Sequence, residues 1–350
     1  MGTRKFRDRD YLETKEGFFF TVIGNVHPSD RVLAYLKYIQ SDSGKWGKDM
    51  KYKRALTGYN IPNLVKTFNF LTRNFPHYIF HSDIFNITLS VVPLNYIEKH
   101  YKPEEKLNQL LASSELDELQ RKAMELVGFL SDKSGISLKN FGITGSILID
   151  IHRIEFSDID LIVYGKENSI IVKDFLRAAL NEKEVLRRLS GKNFSTWIED
   201  RSKLFPVTKK EARAIFQKKW NVGEFKDTKF SIQPVKTEKE VKEKYGDKVY
   251  YPIGLVKAKA RVVDASDSMF MPAIYTVDEV KIIKGKVTPN IKEVVSYEGF
   301  YGEIAKAGEQ ILVMGKLEEV VEKKTLESYH QILIGSQEAR GKDYIKPLKF

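Results

Sequence analysis

The sequence predicts a multidomain protein of α/β class with mixed α+β character: an α+β N-terminal domain, a mixed core and a C-terminal β-barrel. Three observations carry this. The chain has 350 residues, whereas single domains mostly run to about 100–200. Within residues 114–163 a helical period gives way in quick succession to strand, glycine turn, short helix and strand. Beyond residue 250 the chain breaks into apolar runs separated by Asp-, Gly-, Pro- and Lys-rich turns, a spacing that suits a small barrel. The expected domains are residues 1–110, 111–248 and 249–350.

Each element has its own local signal. Phe18–Ile23 and Arg31–Gln40 read as strands, joined by the turn residues Gly24 to Asp30. Leu64, Val65, Phe68 and Leu71 recur at helical spacing and precede an apolar stretch from Ile84 to Leu94. The clearest helix covers 114–132, with Leu116, Leu119, Ala123, Leu126 and Leu130 on one face, Ser114 and Asp117 as a capping box, and Gly135 as its stop. Strands are expected at 140–143 and 159–163, and helices at 170–189 and 209–219. The barrel strands are expected at 254–263, 273–283, 294–297, 310–321 and 329–334, and an oligonucleotide-binding barrel is one type that fits them.

Composition narrows the function classes. The absence of cysteine excludes disulfides, zinc ribbons, iron–sulfur clusters and thiol catalysis. No stretch approaches the roughly 20 apolar residues that cross a bilayer. Met1 to Asp8 lacks the apolar run of a secretion signal, and Phe6 stands where a myristoylation pattern wants Ser or Thr. The expectation is a soluble, cytoplasmic protein without a membrane partner. The net charge of +11 favours polyanionic partners through counterion release. Residues 161–250 concentrate that excess, with 21 basic and 13 acidic side chains.

The chemistry centres on Phe141-Gly142-Ile143-Thr144-Gly145-Ser146, followed after eleven residues by Asp158-Ile159-Asp160-Leu161-Ile162-Val163. A glycine ending a strand lets the backbone approach a phosphate closely. Ser146 opening a helix offers a hydroxyl and an N–H to a triphosphate. Asp158 and Asp160, two apart on a strand, project from the same face. Their mutual repulsion is relieved by a hard cation such as Mg²⁺, which prefers carboxylate and phosphate oxygens. Such ions activate an attacking hydroxyl and stabilise the pyrophosphate that leaves.

This pattern resembles the signature of the polymerase-β-like nucleotidyltransferase superfamily, which includes poly(A) polymerases and tRNA CCA-adding enzymes. The chain as a whole also looks like an archaeal group of predicted nucleotidyltransferases. The resemblance covers residues 136–235 and is most specific over 140–165. It implies transfer of a nucleotide from an NTP with Mg²⁺ or Mn²⁺, Gly145 and Ser146 at the phosphates, and Asp158 and Asp160 as catalytic metal ligands. The superfamily usually draws a third acid from a later neighbouring strand. Here that strand is Lys229-Phe230-Ser231-Ile232-Gln233, which presents Ser231 and Gln233 instead. Asp227 at its start is the substitute expected to complete the metal site, with Asp264 a more distant alternative.

The expected acceptor is a nucleic-acid 3′ end, RNA or DNA. A small-molecule or protein hydroxyl is an alternative, and so is a catalytically inactive nucleic-acid-binding protein built on the same core. Weaker candidates are His77, His81 and Asp83 as a metal site, the loop residues Asn25, His27 and Arg31 as a ligand site, and the basic–aromatic stretch holding Lys37, Trp46 and Arg54. The helix carrying Lys209, Lys210, Arg213, Lys218 and Lys219 is a candidate phosphate-tracking face.

Overall fold

Apolar residues alternating along short segments build the first sheet between Tyr11 and Tyr101. The computed structural model describes residues 4–56, 58, 60–180 and 185–348. Strands β1 (Tyr11–Thr14), β2 (Phe19–Val22), β3 (Arg31–Gln40), β4 (Tyr52–Arg54), β5 (Ile79–Ser82), β6 (Ile87–Pro93) and β7 (Ile97–Tyr101) pair in the order β5-β6-β3-β2-β1-β7, with β4 also on β3. Leu12, Phe20, Val22 and Val32 face α1 (Ile61–Asn74) and Tyr78. The period of two sends Tyr11 and Phe19 to the opposite face. There, with Tyr38 and Tyr52, they hold Leu148, Ile149 and Ile151 of the next sheet's connection.

The second sheet is the one that positions the site. It is formed by β8 (Phe141–Thr144), β9 (Ile159–Tyr164), β10 (Leu186–Arg187), β11 (Val222–Phe225) and β12 (Thr228–Val235) in the order β10-β11-β12-β9-β8. β9 and β12 are parallel, and the other pairs are antiparallel. Along the chain come helices α2 (Pro103–Ala112), α3 (Glu118–Ser134), α4 (Gly145–Leu148), α5 (Lys166–Ala179), α6 (Gly191–Leu204) and α7 (Lys209–Lys218). Ile143, Leu161, Val163, Phe230 and Ile232 bury one sheet face against Leu126 and Leu130 of α3 and Val172 and Leu176 of α5. The capping box of α3 forms at Asp117 and Gln120, three residues after the expected pair, because Ser113 and Glu115 close a separate turn first. Gly135, at φ +72°, ends α3 as expected. α2 crosses residue 110 and lies against β8, where Leu107 and Leu110 join the second core. The helix expected at 170–189 runs from 166 to 179, and residues 181–184 of that expectation fall outside the described residues.

The third sheet contains β13 (Lys248–Asp264), β14 (Ala273–Lys284), β15 (Ile291–Ser296), β16 (Gln310–Glu322), β17 (Ser328–Ile334) and β18 (Tyr344–Pro347). Pairing runs β13-β14-β15-β17-β16, β18 adds to β16, and β16 pairs back onto β13. β15 and β17 are parallel. Helices α6 and α7 belong to this sheet's interior. Ile198, Phe205, Ala212, Ile215 and Phe216 cluster with Val256, Ile311 and Ile332. Seven α-helices and three sheets among the described residues give the mixed α+β class that the periods predict.

Candidate functional site

β8 ends at Thr144, and the chain turns at Gly145 with φ +69° before the single helical turn of α4. A Cβ at Gly145 would overlap the Asp160 carboxylate and come within 3.0 Å of its Cγ. The position therefore requires glycine twice, for its backbone angle and for the closeness of an acid. α4 has only four residues and Ser146 within it is buried. A macrodipole sums over aligned peptides, so one turn adds little, and an anion here would depend on individual N–H groups.

Asp160 sits in β9 and Asp158 immediately before it. The parallel register sets Ser231 of β12 opposite Asp160, and the Ser231 hydroxyl donates to Asp160 Oδ1 at 2.5 Å. Gln233, next on that face, donates to Ser231 Oγ at 3.3 Å. Lys229 Nζ lies 3.5 Å from Asp158 Oδ1. Burial by surrounding atoms, and then the charge of Asp160, raise the Asp158 carboxyl above its ordinary range, while Lys229 and Arg54 pull it down. Opposite charge favours ionisation and like charge opposes it.

Arg54 comes from the first sheet. Its guanidinium stacks 4.7 Å from the Trp46 ring, and Trp46 meets Phe156 edge-on at 5.5 Å. The Gly47 N–H donates to the Ile151 carbonyl at 2.7 Å. The β3–β4 connection thus grips the loop between α4 and Asp158. A second approach comes from the N-terminal segment, which crosses the face bearing Asp160, Ile162 and Tyr164. Thr144 Oγ1 donates to the Arg9 carbonyl at 2.9 Å. The Arg7 guanidinium lies 4.9 Å from the Tyr164 ring, and Tyr164 donates to Glu104 at 2.7 Å. Lys229 was missed as a site residue in the sequence, and Arg54, read there only as part of a basic–aromatic stretch, was not tied to the acid pair. Their only signal was positive charge, and two strands of different sheets, β4 and β12, bring them to Asp158.

With this geometry in view, likeness to known proteins adds one relative. The chain is 29% identical over 346 residues to a protein of Methanocaldococcus jannaschii named uncharacterized protein MJ1086, covering 98% of this chain and 99% of that protein. The likeness spans all three sheets. No protein-family model matches the chain, and no solved structure matches it.

The structure brings Gly145, Asp158, Asp160 and Ser231 together, with Ser146 one residue along. It does not bring the expected third acid to them. Asp227 occupies the β11–β12 turn, largely exposed, and accepts from Arg187 at 2.5 Å. Asp264 caps its own turn through Ser266. Among the described residues no group of three His, Cys, Asp or Glu side chains is placed to hold a metal ion. That finding also corrects the histidine candidate: His77 lies in a 3₁₀ turn stacked on Tyr96, whereas His81 is on strand β5, so no helical i,i+4 face exists.

Other candidates are used internally. Asn25 donates to the Lys236 carbonyl at 2.7 Å. Burial lowers the His27 imidazole to about 4, and its Nδ1 accepts from the Leu33 N–H at 3.3 Å. On α7, Lys218 pairs with Glu309 at 2.9 Å, Arg213 stacks on Phe194, and Lys219 is buried against the Gly299 and Gly302 carbonyls. Those contacts engage three of the five cations expected to track phosphates. No helix among the described residues is long and apolar enough to cross a membrane.

Proposed function

We propose that this chain is a cytoplasmic nucleotidyltransferase that binds an NTP with Mg²⁺ or Mn²⁺ and passes its nucleotide to an acceptor hydroxyl, preferably a nucleic-acid 3′ end. One observation carries the reading: the Gly145 backbone lies against Asp160, so a phosphate-approaching turn and a carboxylate pair stand side by side. The donor set fits one hard cation. Two crowded carboxylates, one of them raised by burial and then by the other's charge, supply oxygens, and phosphate oxygens and water complete such a sphere. When bound, the ion would supply charge neutralisation for the transferring phosphoryl group and the leaving pyrophosphate. Lys229 and Arg54 oppose the rise of the Asp158 carboxyl, Ser231 fixes one oxygen of Asp160, and the Gly145–Ser146 backbone orients the triphosphate.

The third sheet supports a polymeric acceptor. Three successive strands, β13 to β15, with β16 returning beside β13, follow the Greek-key order of a five-stranded oligonucleotide-binding barrel. A second reading is favoured by Ser231, which stands in the strand register where the superfamily carries its third acid. On that reading the core binds NTP and nucleic acid without transferring between them.

The test separates binding from transfer. Labelled NTPs with Mg²⁺ or Mn²⁺ are offered to mixed RNA and DNA primers, and NTP binding is titrated in parallel. Asp158→Asn and Asp160→Asn should each cut incorporation by about a hundred- to a thousandfold for loss of a charge-stabilising group, without loss of fold. Native-like turnover in either variant sinks the assignment. Tight NTP binding without incorporation, together with incorporation by Ser231→Asp, selects the second reading.

A further inference from the structure

On the outer face of the third sheet, β13 and β14 set lysine against lysine. Lys259 pairs directly with Lys281, and Lys257 with Lys284 across a register shift that keeps them opposed. Directly opposed side chains on an antiparallel pair stand roughly 5 Å apart, and like charges there destabilise the sheet. The strand on the other side of β13 offers no relief, because Lys257 and Lys259 face Met314 and Leu312. Arg261, next in the row, is different: Asp278 and Glu279 hold it at 2.6 and 3.1 Å. Acids are thus available on β14, and the ladder is left without them. Leu255, Val263 and Ile283 beside it are exposed by 39, 46 and 52%.

We infer that this ladder is the binding track for the phosphate backbone of a single-stranded nucleic acid, an inference that rests on the nucleic-acid acceptor proposed above. Four ammonium groups held at a cost to the sheet gain most from a partner that neutralises them in series. Lysines two residues apart on a strand repeat every ~7 Å, a spacing that an extended strand of phosphates can follow. Four neighbouring lysines without an intervening acid also favour a line of charge over an isolated ion. The flanking apolar side chains are aliphatic, so contact runs through phosphates and sugars and is tolerant of sequence.

Fluorescence anisotropy of a labelled single-stranded oligonucleotide, titrated with the full chain over a range of salt, tests this. For Lys259→Gln/Lys281→Gln the log–log salt slope should flatten by about 1.4, at about 0.7 per lost contact. The melting temperature should hold or rise, because repulsion has been relieved. NTP binding should be unchanged. Lys209→Gln/Lys210→Gln on α7 should keep the native slope. A ladder variant that binds with native slope overturns the track while leaving the acceptor reading intact. A native protein that binds no oligonucleotide overturns both, and one that binds anionic lipid vesicles instead assigns the ladder to a membrane surface and overturns the track.

Discussion

At Gly145 the backbone angle and the neighbour act together. The angle of +69° costs a non-glycine residue roughly 1 kcal/mol or more, and the added methyl would push into Asp160. Gly145→Ala should therefore lower the denaturant midpoint by an amount corresponding to about 1–3 kcal/mol, and should weaken NTP binding more than tenfold by displacing the carboxylate. An alanine variant with native midpoint and native NTP affinity would show that the crowding is absent. Ser231 is a comparable single-residue decision: its hydroxyl donates where an acid would repel, so Asp160 gains a hydrogen bond and loses a potential co-ligand.

At the scale of elements, the connection after β15 carries a buried acid whose environment sets a pH response. Burial, and then the charge of Asp343, push the Glu298 carboxyl up to about 8, and a hydrogen bond from the Ile61 N–H only partly opposes them. A folded-state value above the unfolded one means that the native form prefers the protonated acid. Its contribution to stability is full below the unfolded value near 4.5 and is lost as pH rises through about 8. Glu298→Gln should therefore remove a pH-dependent loss, leaving the variant more stable than the native chain at pH 9 by roughly 2–4 kcal/mol. Chemical denaturation at pH 5 and pH 9 reads this directly. Equal pH dependence in the two proteins would mean that Glu298 is solvated.

Across the whole molecule, helices from one region complete the core of another. α6 and α7 precede β11 and β12 in the chain, yet their apolar faces lie in the third sheet's interior. Phe205, following α6, stacks on Phe300 with centroids 4.5 Å apart. The second and third sheets therefore share buried surface and should unfold together. Phe205→Ala should cost about 3–5 kcal/mol and lower the transition seen by Trp197 and Trp220 fluorescence and by far-ultraviolet dichroism alike. If the two probes separate, with only one shifted, the sheets are independent folding units.

Much of this was legible in the chain itself. Local period and turn chemistry placed α3, β8, β9 and the long strands of the third sheet to within a few residues, because each depends on neighbours close in sequence. The spacing of Gly145-Ser146 and Asp158-x-Asp160 likewise announced a strand–turn–strand with its acids on one face. α2 and α6 went unseen: each is short of buried apolar residues, α2 contributing Leu107 and Leu110 and α6 only Ile198. The fate of charge was also hidden. Sequence could count the lysines of α7 but not the glutamate, aromatic ring and carbonyls that engage three of its cations. It could not show that Arg54 of the first sheet reaches the acid pair, or that Lys257 and Lys259 face lysines across a strand pair. Secondary structure follows from contacts within a few residues, which a sequence states outright. The surroundings of a charge are set by strand register and by the docking of distant segments, and only the tertiary structure decides those.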